Sequence, residues 1–366
     1  MATSTAKAET SAARWLSQLA RLEEKLGGGD NAQWPAAWGA PATGEPPRLG
    51  VAAADIAAGG FRRAGSADPG SATEDRRSDV ARGLSHRADE LFPAASTIKV
   101  FVLQALMEAA ARGELALDER RPLAGEDQVS GSGVLKLLAP GAELSLLDLA
   151  TLMITVSDNS ATNMLIDVVG VERIRQCVAT NGWLDTHLRG KLQLGPVVAG
   201  NKSSPSHTSP RDLADYFSRL WSGELLPADL TETSKGIYRR QQYGELGRSL
   251  DYDSYSAEIG ASEMSIASKS GSIRGVRNDA GVIEFLGRGS PAEPDGAGAV
   301  GGPGRASGPA GPDGPDRPYV YEDVRESYVV AVMSSGCPDR RFHPDNLGAL
   351  IVGEAAALTL FALRGA

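Results

Sequence analysis

Apolar positions recur at helical spacing over 12–26, where Trp15, Leu16, Leu19, Leu22 and Leu26 precede Gly27-Gly28-Gly29. This pattern predicts an N-terminal helix that packs on the body of the protein. The run Leu49-Gly50-Val51-Ala52-Ala53-Ala54-Asp55-Ile56 reads as a first strand, with Gly59-Gly60 as its turn. From 66 to 90 the chain is charged and polar, which predicts a loop that carries no site. Val100-Phe101-Val102-Leu103-Gln104-Ala105-Leu106-Met107 is almost wholly apolar and predicts a buried helix. Helices then dominate from 96 to about 221. Strands return over 265–270, 277–285 and 327–334, and a last helix is expected over 347–363.

Strands at both ends of the chain with a helical block between them imply an α/β (α+β) fold, in which the two termini build one sheet and an all-α domain is inserted. The expected divisions are a tail and helix over 1–30, a sheet domain over 31–100 plus 245–366, and an all-α domain over 101–244. Within the sheet domain, 16 of the 31 residues from 288 to 318 are Gly or Pro, a composition that cannot build a packed core. A disordered loop extending a hairpin is expected there.

Three short motifs carry the chemistry. They are Ser96-Thr97-Ile98-Lys99, Ser157-Asp158-Asn159 and Lys269-Ser270-Gly271, spaced by 61 and then 112 residues. A serine hydroxyl is a poor nucleophile at neutral pH and needs a base. With four histidines in the chain and no Ser/His/Asp set in view, a lysine is the candidate. If Ser96 opens a helix, Lys99 lies one turn on and on the same face. Burial and a second cation, Lys269, would both lower the Lys99 pKa toward that of a working base. A second Ser-x-x-Lys, Ser4-Thr5-Ala6-Lys7, lies in a polar stretch with no apolar helix after it and reads as chance.

The triple motif resembles that of the class A β-lactamase family and, more distantly, that of the penicillin-binding proteins. The likeness extends to Gly131-Ser132-Gly133-Val134-Leu135, to Pro140-Gly141, to the stretch 144–167 and to Thr208-Ser209-Pro210-Arg211-Asp212-Leu213-Ala214. It implies a five-stranded antiparallel sheet flanked by helices with the inserted α domain. It also implies a serine hydrolase that forms an acyl-enzyme on Ser96 and cleaves an ester, amide or β-lactam. By that resemblance Lys99 takes the Ser96 proton, Ser157 relays a proton to the leaving group, and Asn159 holds Lys99 and the acyl side chain. Lys269 supplies positive charge to the relay and to a substrate carboxylate, beside Ser270, Gly271 and Ser272. The oxyanion would sit between the backbone N–H groups of Ser96 and Ser272. Arg274 and Arg277 are further candidates for the carboxylate. Asp158 is expected to hold the turn rather than to do chemistry.

One departure from the family pattern stands out. Class A enzymes carry a loop Glu that positions the hydrolytic water. The corresponding stretch here, Thr186-His187-Leu188-Arg189-Gly190-Lys191-Leu192-Gln193-Leu194-Gly195, has none. Asp185 falls early for that role, and Gln193 cannot take a proton. Deacylation could reuse Lys99. His187 and His207 are expected to face solvent. The alternatives to a general hydrolase are therefore a slow β-lactamase, a D,D-peptidase-like acyltransferase, and a sensor trapped as its acyl form.

Composition narrows the partners. A net charge of −9 without a basic stripe argues against nucleic acid, which leaves a small acyl substrate. No metal or organic cofactor is expected, and Cys177 and Cys337 lack metal-ligand spacing. A signal-like start and a span of some 18 apolar residues are both absent from the pattern, so a cytoplasmic protein without membrane contact is expected.

Overall fold

The computed structural model describes residues 2–27, 46–61, 83–192, 205–253, 262–287 and 324–365. Its centre is a five-stranded sheet formed by β1 (Arg48–Asp55), β2 (Gly83–His86), β7 (Met264–Ile273), β8 (Val276–Leu286) and β9 (Val324–Ser335). The order is β2-β1-β9-β8-β7, and every neighbouring pair is antiparallel. The sheet therefore joins both ends of the chain, as expected. Two-residue pairing of β3 (Phe92–Pro93) with β6 (His207–Thr208) forms a small second ladder, and β4 (Arg120–Pro122) with β5 (Glu143–Ser145) a third.

Alternation along the strands explains why the sheet is covered twice. Leu49, Val51 and Ala53 of β1 and Val330 and Val332 of β9 share a cluster with Trp15, Leu19, Leu22, Ile351, Val352 and Ala355. These last residues come from α1 (Ala2–Leu26) and α8 (Leu347–Gly365). The intervening residues Ala52, Ala54, Val329, Ala331 and Met333 join the larger core with the other helices. Because both faces are buried, β9 reads as a continuous apolar run, Val329 to Met333. In α1, Trp15, Leu19, Leu22 and Leu26 are buried as the periodicity requires, whereas Leu16 is 42% exposed and lies off the stripe. Trp15 Nε1 also donates to Thr359 on α8.

Helix α8 is long and apolar enough to cross a membrane by length and composition, contrary to the expectation that no such span exists. Here its apolar residues cover the sheet.

The remaining helices are α2 (Lys99–Ala111), α3 (Leu146–Thr155), α4 (Asn159–Val169), α5 (Val171–Thr180), α6 (Pro210–Trp221) and α7 (Ala228–Arg239). Helix α2 is buried along almost its whole length, from Lys99 to Met107. Its sequence is apolar all round because α3, α4, α5 and α7 surround it. Helix α6 packs on β1, β8 and β9, so a boundary at 244 assigns to the helical block an element that lies on the sheet. Gly50 permits this approach, since a Cβ there would stand 2.9 Å from Pro210 and 2.7 Å from Phe92. The Gly/Pro-rich stretch 288–318, most of the polar stretch 66–90 and Gln193 lie outside the described residues.

Candidate active site

The nucleophile candidate does not begin an α-helix directly. Residues Ala95–Ile98 form a 3-10 turn, and α2 starts at Lys99. Ala95 adopts φ 47°, a left-handed conformation rare for a residue with a Cβ, and it turns the chain sharply into the half-buried Ser96. The turn is held from three sides. Thr97 N and Thr97 Oγ1 both donate to Ala94 O, at 3.1 and 2.6 Å. Ala94 N donates to Ser206 O at 2.8 Å. Asn278 Nδ2 donates to Pro93 O and Ala94 O at 2.9 and 3.2 Å, while Asn278 Oδ1 accepts from Ser334 N. Asn278 thus ties the nucleophile turn to the centre of the sheet. Its buried position in β8 is visible only in the fold.

Lys99 is wholly buried. Its Nζ lies 2.8 Å from Ser157 O, 3.0 Å from Ser157 Oγ and 2.9 Å from Asn159 Oδ1. Burial pushes its pKa well below the ordinary lysine value, Lys269 pushes it further, and Asp158 opposes both. None of the three oxygens bonded to the amine carries a full charge, and a neutral amine can donate to two of them while its lone pair accepts from the Ser157 hydroxyl.

The Ser157-Asp158-Asn159 turn is equally constrained. Ser157 has φ 54°. Asp158 caps α4 through Ala161 N at 3.0 Å and takes Val134 N and Leu135 N at 2.6 and 2.9 Å. This is the structural role expected of it. Gly133, at φ 104°, lies against the same carboxylate, where a Cβ would come within 2.2 Å. Ser132 Oγ donates to Ser157 O at 2.6 Å, and Asn159 Nδ2 donates to Ser130 O at 3.2 Å. The loop 130–135 is therefore bolted onto the turn.

Strand β7 forms the opposite wall. Lys269 is fully buried, and Ser270 nearly so. Burial lowers the Lys269 pKa to about 7 against the pull of Asp279. A Cβ on Gly271 would lie 3.0 Å from Ser96 N, 2.9 Å from Thr97 N and 3.0 Å from Ala94 O. The missing side chain is what lets β7 touch the nucleophile turn. Ser272 is exposed just beyond.

The two arginines part company. Arg274 is exposed in the two-residue connection between β7 and β8, beside Gly275 at φ 76°. Arg277 is only 3% exposed, and its guanidinium donates to the carbonyls of Ile273, Val276 and Arg341. These bonds close the hairpin and hold it to the loop at 341, so Arg277 is placed as a brace instead of as a carboxylate ligand. His187 and His207 form a backbone bridge that continues into the β3–β6 ladder. His187 is exposed as expected, while His207 is partly buried, and its pKa is lowered by burial and then by His187.

Asn163, one turn after Asn159 on α4, clamps Leu192 from both sides. Leu192 N donates to Asn163 Oδ1 at 2.7 Å, and Asn163 Nδ2 donates to Leu192 O at 3.0 Å. Asp185, the acidic residue nearest to the stretch 186–195 in sequence, accepts from Ser209 Oγ at the N-terminus of α6. The residue that Asn163 of α4 holds by its backbone is thus a leucine.

A model of the beta-lactamase enzyme family matches residues 56–290, well over half of the chain. The chain belongs to the beta-lactamase enzyme family. "Beta-lactamase L2" of Stenotrophomonas maltophilia is 37% identical over 158 residues, 40% of this chain and 49% of that protein. "Beta-lactamase SME-1" of Serratia marcescens is 27% identical over 159 residues, 43% of this chain and 52% of its own. These matches span about half the length of the curated relatives. Among solved structures, a beta-lactamase from Sphaerobacter thermophilus superimposes with a TM-score of 0.64 at 24% identity, covering 96% of this chain and 98% of the other. PBP-A superimposes with a TM-score of 0.58 at 23% identity, covering 94% and 97%. At these identities the structures establish the shared fold, and they agree with the five-stranded antiparallel sheet read from the resemblance.

Proposed function

We propose that this member of the beta-lactamase enzyme family is a serine hydrolase that forms an acyl-enzyme on Ser96 from a small ester, amide or β-lactam. The observation that carries this reading is the buried amine of Lys99, set among Ser157 O, Ser157 Oγ and Asn159 Oδ1 one helical turn after Ser96. A lysine kept neutral by burial can take the Ser96 proton as the hydroxyl attacks the acyl carbon. The charge that develops on the carbonyl oxygen is met by the N–H groups of Ser96 and Ser272. Ser157, already hydrogen-bonded to Lys99, passes the proton on to the departing nitrogen or oxygen as the bond breaks. Lys269 then presents positive charge to a carboxylate on the substrate, with Ser270 beside it.

The acyl group leaves slowly in this reading, because Leu192 occupies the place on Asn163 where a carboxylate would be useful and Lys99 must serve a second time. That favours a slow β-lactamase over an efficient one. An amine acceptor in place of water would make the same site a D,D-peptidase-like acyltransferase, and failure to deacylate would make it a sensor.

Intact-protein mass spectrometry after mixing with a penicillin tests the reading, with Ser96→Ala alongside. An adduct on the unaltered protein that is absent from Ser96→Ala is expected, and its decay rate separates slow hydrolysis from permanent trapping. An adduct that persists in Ser96→Ala would rule out Ser96 as the nucleophile. No adduct with penicillins or with small activated esters would remove the acyl-enzyme reading.

A further inference from the structure

Strand β8 carries a second buried ionisable group that the reaction as described leaves unused. Asp279 is wholly buried. In the β7–β8 ladder Asp279 pairs with Ser270 and Lys269 with Ala280, so the two ionisable residues are diagonal neighbours. Alternation turns their side chains to opposite faces of the sheet. Lys269 follows Ala267 toward Lys99 and the helical core, and Asp279 follows Ile283 toward Leu246. They can therefore interact as charges through the sheet but not as a hydrogen-bonded pair.

The surroundings of Asp279 are those of a group that keeps its charge only in part. Its Oδ2 accepts from Glu245 N and from Leu246 N at 3.0 Å, while its Oδ1 is buried with no hydrogen-bond partner. Burial raises its pKa to about 7, against the help of those two N–H groups. Beside it lies a cavity of about 260 Å³ lined by Gln241, Gly244, Gly247, Arg248, Tyr252 and Ser268, the last of which opposes the rise of the Asp279 pKa.

Other charges face this pair. The loop 241–250 presents Glu245, which is ion-paired with Arg248. Helix α2 presents Lys99, and Asp158 stands at the start of α4. On β8 itself, Arg277 is committed to backbone carbonyls. The ladder partner of Asp279 on β9 is the apolar Val332. Asp279 is thus the carboxylate nearest to Lys269 along the β7–β8 ladder, since Glu284 of β8 and Glu326 of β9 stand at its far end beside Ser265 and Phe285.

We infer that Asp279 is a positioning residue that acts through Lys269: by carrying or losing its charge across the β7–β8 ladder it sets whether Lys269 is cationic, and hence whether the site attracts a substrate carboxylate. The inference rests on the proposed role of Lys269, but its test does not need turnover. The chain has eight lysines, so ¹³Cε-lysine NMR spectra are simple, and Lys269→Arg assigns the Lys269 signal by its loss. In Asp279→Asn, which keeps an acceptor for the Glu245 and Leu246 N–H groups, the Lys269 midpoint is expected to fall by about one pH unit. An unchanged midpoint in the folded variant overturns the inference. The unaltered protein provides a check independent of that variant's folding. Its Lys269 titration should be broader than a single-site curve because the two charges are coupled, and a single-site curve overturns the coupling. Penicillin acylation followed in parallel should lose rate at lower pH in Asp279→Asn. If the midpoint moves and no acyl-enzyme forms in either protein, the Ser96 reading fails while the coupling stands.

Discussion

Lys99 and Lys269 are both sealed from solvent, yet the protein surrounds them differently. On the helical side, Lys99 meets three oxygens that carry no full charge, and its nearest charged neighbours are Lys269, which opposes protonation, and Asp158, which favours it. Asp158 is already satisfied by three backbone N–H groups. On the sheet side, Lys269 has Asp279 diagonally across the ladder, and its Nζ donates to Ser270 O. Burial pushes the pKa of both lysines down. The neighbouring carboxylate is what keeps the second one near the point of protonation at neutral pH, at about 7. Two identical side chains at one junction can therefore divide the labour, one as a base and one as a positive charge.

Removing the proposed base breaks this contrast most severely. Lys99→Met should lower the rate of penicillin acylation by about 10³-fold, the usual scale for losing a general base, as read by stopped-flow or timed mass spectrometry. If acylation keeps its rate, another group is the base. Leu192→Glu acts on the next step. A carboxylate on the backbone position that Asn163 clamps should shorten the acyl-enzyme lifetime by about 10²-fold, measured as adduct decay. An unchanged lifetime would mean that this position does not reach the acyl bond.

Gly271→Ala tests the seam between the two sides. Its Cβ would press on Ser96 N and Ala94 O, so acylation should fall by roughly tenfold through a displaced turn while the protein stays folded by circular dichroism. The smallest change is expected from Lys269→Arg, which holds its charge at any working pH. The unaltered protein needs Lys99 neutral and Lys269 charged. Its acylation should decline on the acid side as Lys99 takes a proton, and on the alkaline side as pH rises past about 7 and Lys269 loses one. Lys269→Arg should abolish the alkaline decline and leave the acid limb in place. A persisting alkaline limb would assign it to another group.

Much of the architecture was legible in the chain. The apolar runs of β1 and β9 reflect burial on both faces of the sheet, and the helical stripe of Trp15, Leu19, Leu22 and Leu26 marks the surface that meets α8. Motif order and spacing named Ser96, Lys99, Ser157, Asn159 and Lys269, and the fold brings Lys99, Ser157 and Asn159 into one hydrogen-bonded group. Proximity along the chain misled where it stood in for geometry. Arg277 follows the third motif closely, yet its guanidinium is spent on the carbonyls of Ile273, Val276 and Arg341. Helix α6 sits in a helical stretch of sequence but belongs to the layer on the sheet.

Local pattern by itself determined which segments are helices and strands and which residue types stand ready for acyl transfer, because periodicity and motif spacing are properties of neighbours along the chain. Tertiary structure alone decided that Asn278 anchors the nucleophile turn, that Leu192 stands on the Asn163 clamp and that Asp279 lies diagonal to Lys269. Those relations depend on burial and on hydrogen bonds between residues distant in sequence. Only the folded chain removes water from them and gives each charge its sign of influence on the next.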